Sequence, residues 1–536
     1  MIQISSLPTK WLNTILIILY TVGAIFVFSL AWLPVQLAID RFYYEDFFYY
    51  LKVAENIVMG QGASLDGETT TNGFHPLWML AIILIQAITN PELAVHITLS
   101  LAASLHLGQV YLLFCIVKQS ANKVIAHFAA IFYLFNYRII ACNLCGLETP
   151  LVAFFILGII YFLIKYHNLT TSTSWAIKLG ILLGFAILSR FDILILIGII
   201  VAWILIDSRF GIDYWRRIST AFIVGISSGI ILLPWFIWSA INSATLLPNS
   251  NAALKVWAFS GFNLQQAGVE NVLSLLIKKM FTTAWWLSDT ANLFGLWPIV
   301  LPTAYKNWPA FLVFIIFVTI FLGLWLMRSS QYTTFRSVLL VYAITHFSYY
   351  SLFANAQVRY LIPFAIIIIV LATMLIAELL RQVNTQKVKR MALFFYFVIL
   401  INSLLAGWSA WQQHQGATRT HVEHANLYQT ADWIRNHLPE NAIIGSWNAG
   451  ILSYYSQRTV INLDGVMNDA VIEVLKQKKL SSYIEHRHIS FLIDLETEID
   501  KFMKKFSGQV NWRKNYVEFH RLGHIVILKK LAFRTA

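Results

Sequence analysis

Charge is scarce in this chain. Asp, Glu, Lys and Arg make up 12% of its 536 residues, whereas 58% are hydrophobic. A soluble protein of this length could not cover so much apolar surface, so lipid must be the solvent for most of it. Cysteine is scarcer still, with three residues, which excludes a disulfide framework. Cys142 and Cys145 form a CxxC at the mouth of an apolar segment, where two small residues at a helix end are expected rather than a redox or metal pair. No G-x-G-x-x-G occurs, so nothing points to a Rossmann nucleotide site. The membrane part shows no clear internal repeat, which argues against a two-halved transporter. Lys and Arg outnumber Asp and Glu, 39 to 26, but they sit in short loops and form no continuous basic face, so nucleic acid is not an expected partner.

What the chain does have is long apolar runs. A membrane helix needs about 20 apolar residues, and such runs fall at 12–34, 93–117, 123–142, 148–165, 175–190, 191–207, 218–240, 308–327, 336–354, 360–380 and 391–411. The fold expected is therefore an α-helical polytopic membrane protein of about eleven transmembrane helices. Two shorter apolar stretches, 76–90 and 282–301, read as helices lying at the interface. The first run is long for a signal peptide and lacks a small-residue cleavage pattern before it, so it reads as an uncleaved span. Nineteen Trp and 23 Tyr suit the two membrane–water interfaces.

Lys and Arg set the orientation. With Lys10 cytoplasmic, the basic pairs and clusters at 118–123, 165–178, 209–217, 328–336 and 381–390 all fall inside. The outer pieces are then the loop 35–92, the turn "CGLETP", the Arg190–Asp192 turn, the loop 241–307, the turn "NAQVRY" and everything after Trp411. Residues 1–411 form the membrane module. Residues 412–536 change character: "NAIIGSW", "RTVINLD", "ISFLIDL" and "HIVILKK" are short β-like runs separated by helical segments such as "AVIEVLKQK" and "TEIDKFMKKF". They predict a small C-terminal α/β domain outside the cytoplasm.

The chemistry-bearing residues gather on that outer side. Glu45 and Asp46 lie about ten residues beyond the first span, sheathed by Phe42, Tyr43, Tyr44, Phe47, Phe48, Tyr49 and Tyr50. Such surroundings raise the pKa of an unpaired acid, and a carboxylate held there can act as a general base or help to bind a divalent cation. Glu148 opens a span, where an acid is costly. Arg190 and Asp192 occupy a turn barely long enough to reverse the chain. Lys255 follows "LLPNSNAAL", and Arg359 opens "RYLIPFAIIIIV". Cations at that depth suit a phosphate at the lipid surface. In the tail, Asp464, Asn468, Trp447 and Asn448 could line an acceptor site or cap turns.

The ordered set "EDFFYYLKVAENIVMGQGASLDGETTTNGFHPLW", "CGLETPL", "LSRFD", "LLPNSNAALK", "RYLIP" and "IGSWNAGILSYYSQRTVINLDGVMN" resembles the bacterial GT-C-type glycosyltransferases, integral membrane enzymes that use polyprenyl-phosphate sugars. The match runs from about 40 to 470. One departure is Glu45, where the acidic pair is more often Asp-Asp. The resemblance implies a GT-C-like membrane module and an inverting transfer of a hexosyl or pentosyl group. The donor would be a polyprenyl-phosphate-linked sugar, and the acceptor a glycan, a glycolipid or a protein, on the outer side of the membrane. It implies Asp46 or Glu45 as catalytic base. Substrate contacts would come from His75, Asn72, Glu148, Arg190, Lys255, Arg359, Tyr360 and Asp464. Glu45 and Glu148 would hold a divalent cation, Mg or Mn, if one is used. The rival readings are a transporter or flippase of lipid-linked substrates and a non-catalytic membrane scaffold.

Overall fold

The computed structural model describes residues 9–256, 333–382 and 419–531, apart from 167–171, 211–212, 244, 251, 254–255, 354–356 and 510, together with the single residue 401. Lys255, most of the loop 241–307, the stretch 282–301 and the expected spans 308–327 and 391–411 lie outside the described residues.

Helix α1 (Thr9–Ala31) leads into α2 (Val35–Arg41), α3 (Glu45–Val58) and α4 (Pro76–Gln86). These are followed by α5 (Pro91–Ser120), α6 (Lys123–Phe135), α7 (Tyr137–Asn143), α8 (Thr149–Lys165) and α9 (Thr173–Ser189). Then come α10 (Leu194–Ile206), α11 (Tyr214–Asn242), α12 (Thr333–Phe353) and α13 (Ile362–Gln382). Among the described residues, four segments are long and apolar enough to cross a bilayer: Asn13–Ala31, Pro91–Ser120, Tyr214–Asn242 and Val358–Glu378. The run read as one span over 123–142 is instead a broken helix, bent by 61° between α6 and α7. The break falls at Asn136, whose side chain leaves the helix pattern to cap α7 by accepting from the Ile139 amide at 3.1 Å. Four further apolar helices, at 76–86, 149–165, 173–189 and 191–206, have 10–17 residues. At 1.5 Å per residue the longest reach about 25 Å, short of the roughly 30 Å hydrocarbon core. The chain is an integral membrane protein.

The tail is an α/β unit. Helix α14 (Arg419–His437) precedes β1 (Ile443–Ser446), α15 (Gly450–Tyr455), β2 (Thr459–Asn462), α16 (Asp469–Lys476) and α17 (Leu480–His486). Then follow β3 (Phe491–Leu495), α18 (Glu496–Phe506), β4 (Tyr516–Leu522) and β5 (Ile525–Lys530). The sheet order is β2-β1-β3-β5-β4; β2, β1 and β3 run parallel, and β5 and β4 are antiparallel additions. Four of these strands match the Ile- and Val-rich runs in the sequence. The fifth, β4, was not expected, because Glu518, His520 and Arg521 interrupt its apolar residues and it lies at the sheet edge, largely exposed.

Sequence-distant contacts seat the tail on the loops of the membrane module. Asp66 organises the turn 64–69, accepting from the Ser64 hydroxyl (3.0 Å), the amides of Glu68 (3.0 Å) and Thr69 (2.7 Å), and the Thr69 hydroxyl (3.0 Å). Arg487 of the tail then bridges Asp66 and Glu68 at 3.1 and 2.9 Å. Gln86 donates to the Tyr454 hydroxyl at 3.2 Å, and that hydroxyl donates to the Pro91 carbonyl at 2.6 Å.

A buried charge cluster as candidate active site

Each turn that brings a charged residue here is held by a local device. Glu45 and Asp46 occupy the first turn of α3, where the positive end of the helix favours acids. Pro76 opens α4, leaving His75 extended at its N-cap, and the His75 amide donates to the Tyr50 hydroxyl at 2.9 Å. Pro150 likewise starts α8 just after Glu148. Gly146 in the same turn has φ +87°, a left-handed conformation, and a Cβ there would meet the Phe47 ring at 2.2 Å. The Trp78 indole N–H closes the corner by donating to the Gly146 carbonyl at 3.0 Å. "HPLW" and "CGLETP" are therefore parts of one structure.

Arg359 stands at the centre. It is 4% exposed. Its Nη2 lies 3.0 Å from Asp46 Oδ2 and its Nη1 3.5 Å from Glu148 Oε1. Its Nε donates to Gln357 Oε1 at 2.6 Å, and Nη2 also donates to the Tyr360 hydroxyl at 3.1 Å. The guanidinium lies over the rings of Tyr360 (4.6 Å) and Tyr44 (5.4 Å). Arg190 lies over the same Tyr360 ring at 4.8 Å. Its Nε and Nη2 engage Asp192 at 3.0 and 2.6 Å, and Nη2 also donates to the Tyr350 hydroxyl at 2.7 Å. Its Nη1 is buried with no hydrogen-bond partner among the described residues. His346 Nε2 lies 3.4 Å from Asp192 Oδ2. Tyr44, Gln357, His346 and Tyr350 were not among the sequence candidates. Of these, Tyr44 carried a signal as the aromatic residue directly before Glu45, and Gln357 by its place two residues before Arg359 in "NAQVRY".

Exposure separates the members of the cluster. The side chains of Glu148, Arg359, Arg190 and Asp192 are 2, 5, 3 and 8% exposed, but that of Asp46 is 41% exposed. Asp46 is thus paired with a buried guanidinium and still accessible. Burial raises its carboxyl above the usual aspartate range; Arg359 offsets part of that and Glu148 adds to it. For Glu148 burial acts in the same upward direction, but His75, Arg359 and Arg190 outweigh it and hold the carboxyl below its ordinary value. Glu148 has three basic neighbours where Asp46 has Arg359, which is why two acids sharing that guanidinium move in opposite directions. Burial lowers the His75 imidazole, with Glu148 pulling the other way. His75 Nε2 lies 3.8 Å from Glu148 Oε1, too far for a hydrogen bond.

Glu45 points elsewhere. It is 5% exposed, and its Oε1 accepts the Gly450 amide of the tail. The expected Glu45–Glu148 cation site does not fit this donor set: the two carboxylates have different partners, and the cation beside Glu148 is the guanidinium of Arg359. No group of three or more His, Cys, Asp or Glu suited to a metal occurs among the described residues. Cys145 is fully buried, and burial pushes its thiol up to about 11, which disfavours a reactive thiolate at that position.

Asn72, expected to touch substrate, is 0% exposed and holds a loop. Its amide nitrogen donates to Ser239 Oγ (2.8 Å) and to the carbonyls of Thr245 (2.7 Å) and Leu247 (3.2 Å), while its oxygen accepts the Asn249 amide at 3.0 Å. It thus ties "TTTNGFHP" to "LLPNSNAALK". Asn72→Ala is expected to cost about 2 kcal/mol by stranding these groups, read as a lowered melting temperature in lipid nanodiscs with faster proteolysis near 245–249. Asp464 is 8% exposed, caps its own turn by accepting the Val466 amide at 2.8 Å, and has its carboxyl pushed up to about 8, by burial first, with Asp46 and Asp494 contributing.

A family model described as a domain of unknown function (DUF8728) matches residues 410–531, the tail alone. No curated protein matches the sequence. Solved structures match the whole architecture. The archaeal oligosaccharyltransferase AglB from Archaeoglobus fulgidus, in complex with an inhibitory peptide and a dolichol-phosphate, is 13% identical, with a TM-score of 0.57 over 97% of this chain and 75% of that one. The same enzyme with Zn and sulfate is 12% identical, with a TM-score of 0.57 over 93% and 71%. ArnT from Cupriavidus metallidurans bound to undecaprenyl phosphate is 13% identical, with a TM-score of 0.57 over 98% and 99%. The fold is that of the GT-C-type membrane glycosyltransferases.

Proposed function

We propose that this protein is an inverting glycosyltransferase that moves a sugar from a polyprenyl-phosphate donor to an acceptor hydroxyl on the outer side of the membrane, with the tail domain on that side. The observation that carries the reading is the contrast within the charge cluster: Asp46 alone of its acids keeps an accessible carboxylate, directly beside a buried guanidinium. Asp46 takes the proton from the acceptor hydroxyl as that oxygen attacks the anomeric carbon. The bond from that carbon to the phosphate oxygen breaks on the opposite face, and polyprenyl phosphate departs. Arg359 and Arg190 are close enough to one ring, Tyr360, to act on one phosphate, and the buried Nη1 of Arg190, without a hydrogen-bond partner among the described residues, is a donor in need of an acceptor. Lys255 is proposed as a third phosphate contact, and His75, Glu148, Tyr360 and Asp464 as further substrate contacts. Glu148 balances the two arginines between turnovers. A divalent cation, Mg or Mn, would have to displace Arg359 from the carboxylates, so no step is assigned to one.

The transporter and scaffold readings are not favoured: the fold is an enzyme fold, and the buried charges converge on one accessible carboxylate. The test is mass spectrometry of the protein purified with its native lipids. The expected result is a bound polyprenyl phosphate or its glycosylated form, displaced by added undecaprenyl phosphate. Absence of any polyprenyl species, together with failure to bind undecaprenyl phosphate, would overturn the reading.

A further inference from the structure

In open α/β sheets, ligands bind beyond the carboxyl ends of the strands, at the crevice where strand order reverses. Here that crevice lies between β1 and β3, because the chain goes from β1 to β2 on one side and returns to β3 on the other. It is filled from within. Asp494, fully buried on β3, accepts from the Ser446 hydroxyl (2.9 Å) and the amides of Trp447 (2.8 Å) and Asn448 (2.7 Å) through Oδ2. Its Oδ1 accepts from the Asn448 side chain (2.8 Å) and the Leu495 amide (2.7 Å). Five donors and no acceptor surround this carboxylate, which does what a bound anion would do in such a crevice. The tail is therefore not a phosphate- or nucleotide-binding module at that position; Asp494 shapes the loop 446–450.

That loop is what α3 grips. The Tyr49 hydroxyl donates to the Trp447 carbonyl at 3.1 Å and accepts from the Ala449 amide (3.1 Å) and the Asn462 side chain (3.2 Å), so it reads the ends of β1 and β2 together. One turn earlier on the same helix, Glu45 accepts the Gly450 amide. The approach is so close that a Cβ on Gly450 would lie 2.6 Å from the Glu45 carbonyl oxygen and 2.7 Å from Glu45 Oε1. Asp46, the next residue, faces Arg359 instead.

We propose that Glu45 and Tyr49 are positioning residues: they seat α3, and Asp46 with it, against the loop that Asp494 holds, so that the tail domain determines where the base stands. The two adjacent acids thus have separate tasks. The departure from Asp at position 45 follows, since the extra methylene supplies the reach to Gly450. Glu45 acts through its length and its accepting oxygen, not through its charge. The proposal rests on the reading of Asp46 as the base.

Three full-length variants test it in cells lacking the chromosomal copy, read as recovery of the missing glycoconjugate, and as purified protein in nanodiscs, read as undecaprenyl phosphate binding and amide hydrogen exchange. Glu45→Gln keeps reach and acceptor and is expected to restore the product as wild type does. Glu45→Asp and Gly450→Ala are expected to lose on the order of 10²-fold in transfer, the scale of an ångström-sized misplacement. Both should still bind undecaprenyl phosphate, while the amides of 446–450 exchange faster. Should Gly450→Ala fail to fold, Glu45→Asp decides alone. Full transfer by Glu45→Asp overturns the proposal, and so does a Glu45→Gln loss as large as that of Asp46→Asn, since the carboxylate would then take part in the chemistry. If Asp46→Asn is active, the base reading falls, and the exchange of 446–450 in Glu45→Asp still decides whether Glu45 holds the loop.

Discussion

Asp46→Asn is expected to lower transfer by about 10²–10⁴-fold, the usual contribution of a general base, while polyprenyl phosphate still binds. The substitution keeps the shape and removes only the site that takes the proton. A loss confined to turnover, with donor affinity retained, would place the interaction in the transition state. The pH dependence gives a second signature. A base works when ionised, so the rate falls as pH drops through its pKa. Burial holds Asp46 above the usual aspartate value of about 4, so the acid limb of the wild-type profile should lie above that value, and the residual activity of Asp46→Asn should lack this limb. Unchanged transfer by Asp46→Asn would remove the base from this mechanism.

Arg359→Gln is expected to fail in two ways. Donor binding should weaken roughly ten- to hundredfold, the worth of a charge-assisted phosphate contact. Folding should lose about 3–5 kcal/mol, because the substitution strands Glu148, 2% exposed, beside a vacated guanidinium site. The two losses separate in the double variant. Adding Glu148→Gln removes the stranded charge and should recover much of the melting temperature without recovering undecaprenyl phosphate binding. Loss of Arg359 also removes the charge that lowers Asp46, so the acid limb of any remaining activity should move to higher pH. If Arg359→Gln binds undecaprenyl phosphate as wild type does, the guanidinium serves only the carboxylates.

Much of this was legible in the residues themselves. The membrane class follows from apolar runs that no aqueous fold could hide. Four strands of the tail were visible as Ile- and Val-rich runs because most of their residues are buried, even in β2 at one sheet edge; β4, at the other edge and largely exposed, was not. Glu148, Arg190 and Arg359 drew attention as charges at the ends of apolar runs, where desolvation makes an idle charge costly. Asn72 shows the limit. A polar residue in a turn-rich loop reads as a ligand contact, but its four hydrogen-bond partners lie more than 160 residues away in sequence. The same holds for Asp494, an unremarked acid in "ISFLIDL" until β1 is laid beside β3.

The sequence by itself determined the solvent, the helical class, the presence of an α/β tail and the residue types available for chemistry, because burial cost and periodicity act locally along the chain. Only the tertiary structure decided how Glu45 and Asp46 divide their work. Neighbours on a helix are rotated by about 100°, so one carboxylate faces the Gly450 amide and the other faces Arg359. Which direction is which depends on contacts from residues some 300 to 400 positions away, and no local rule contains them.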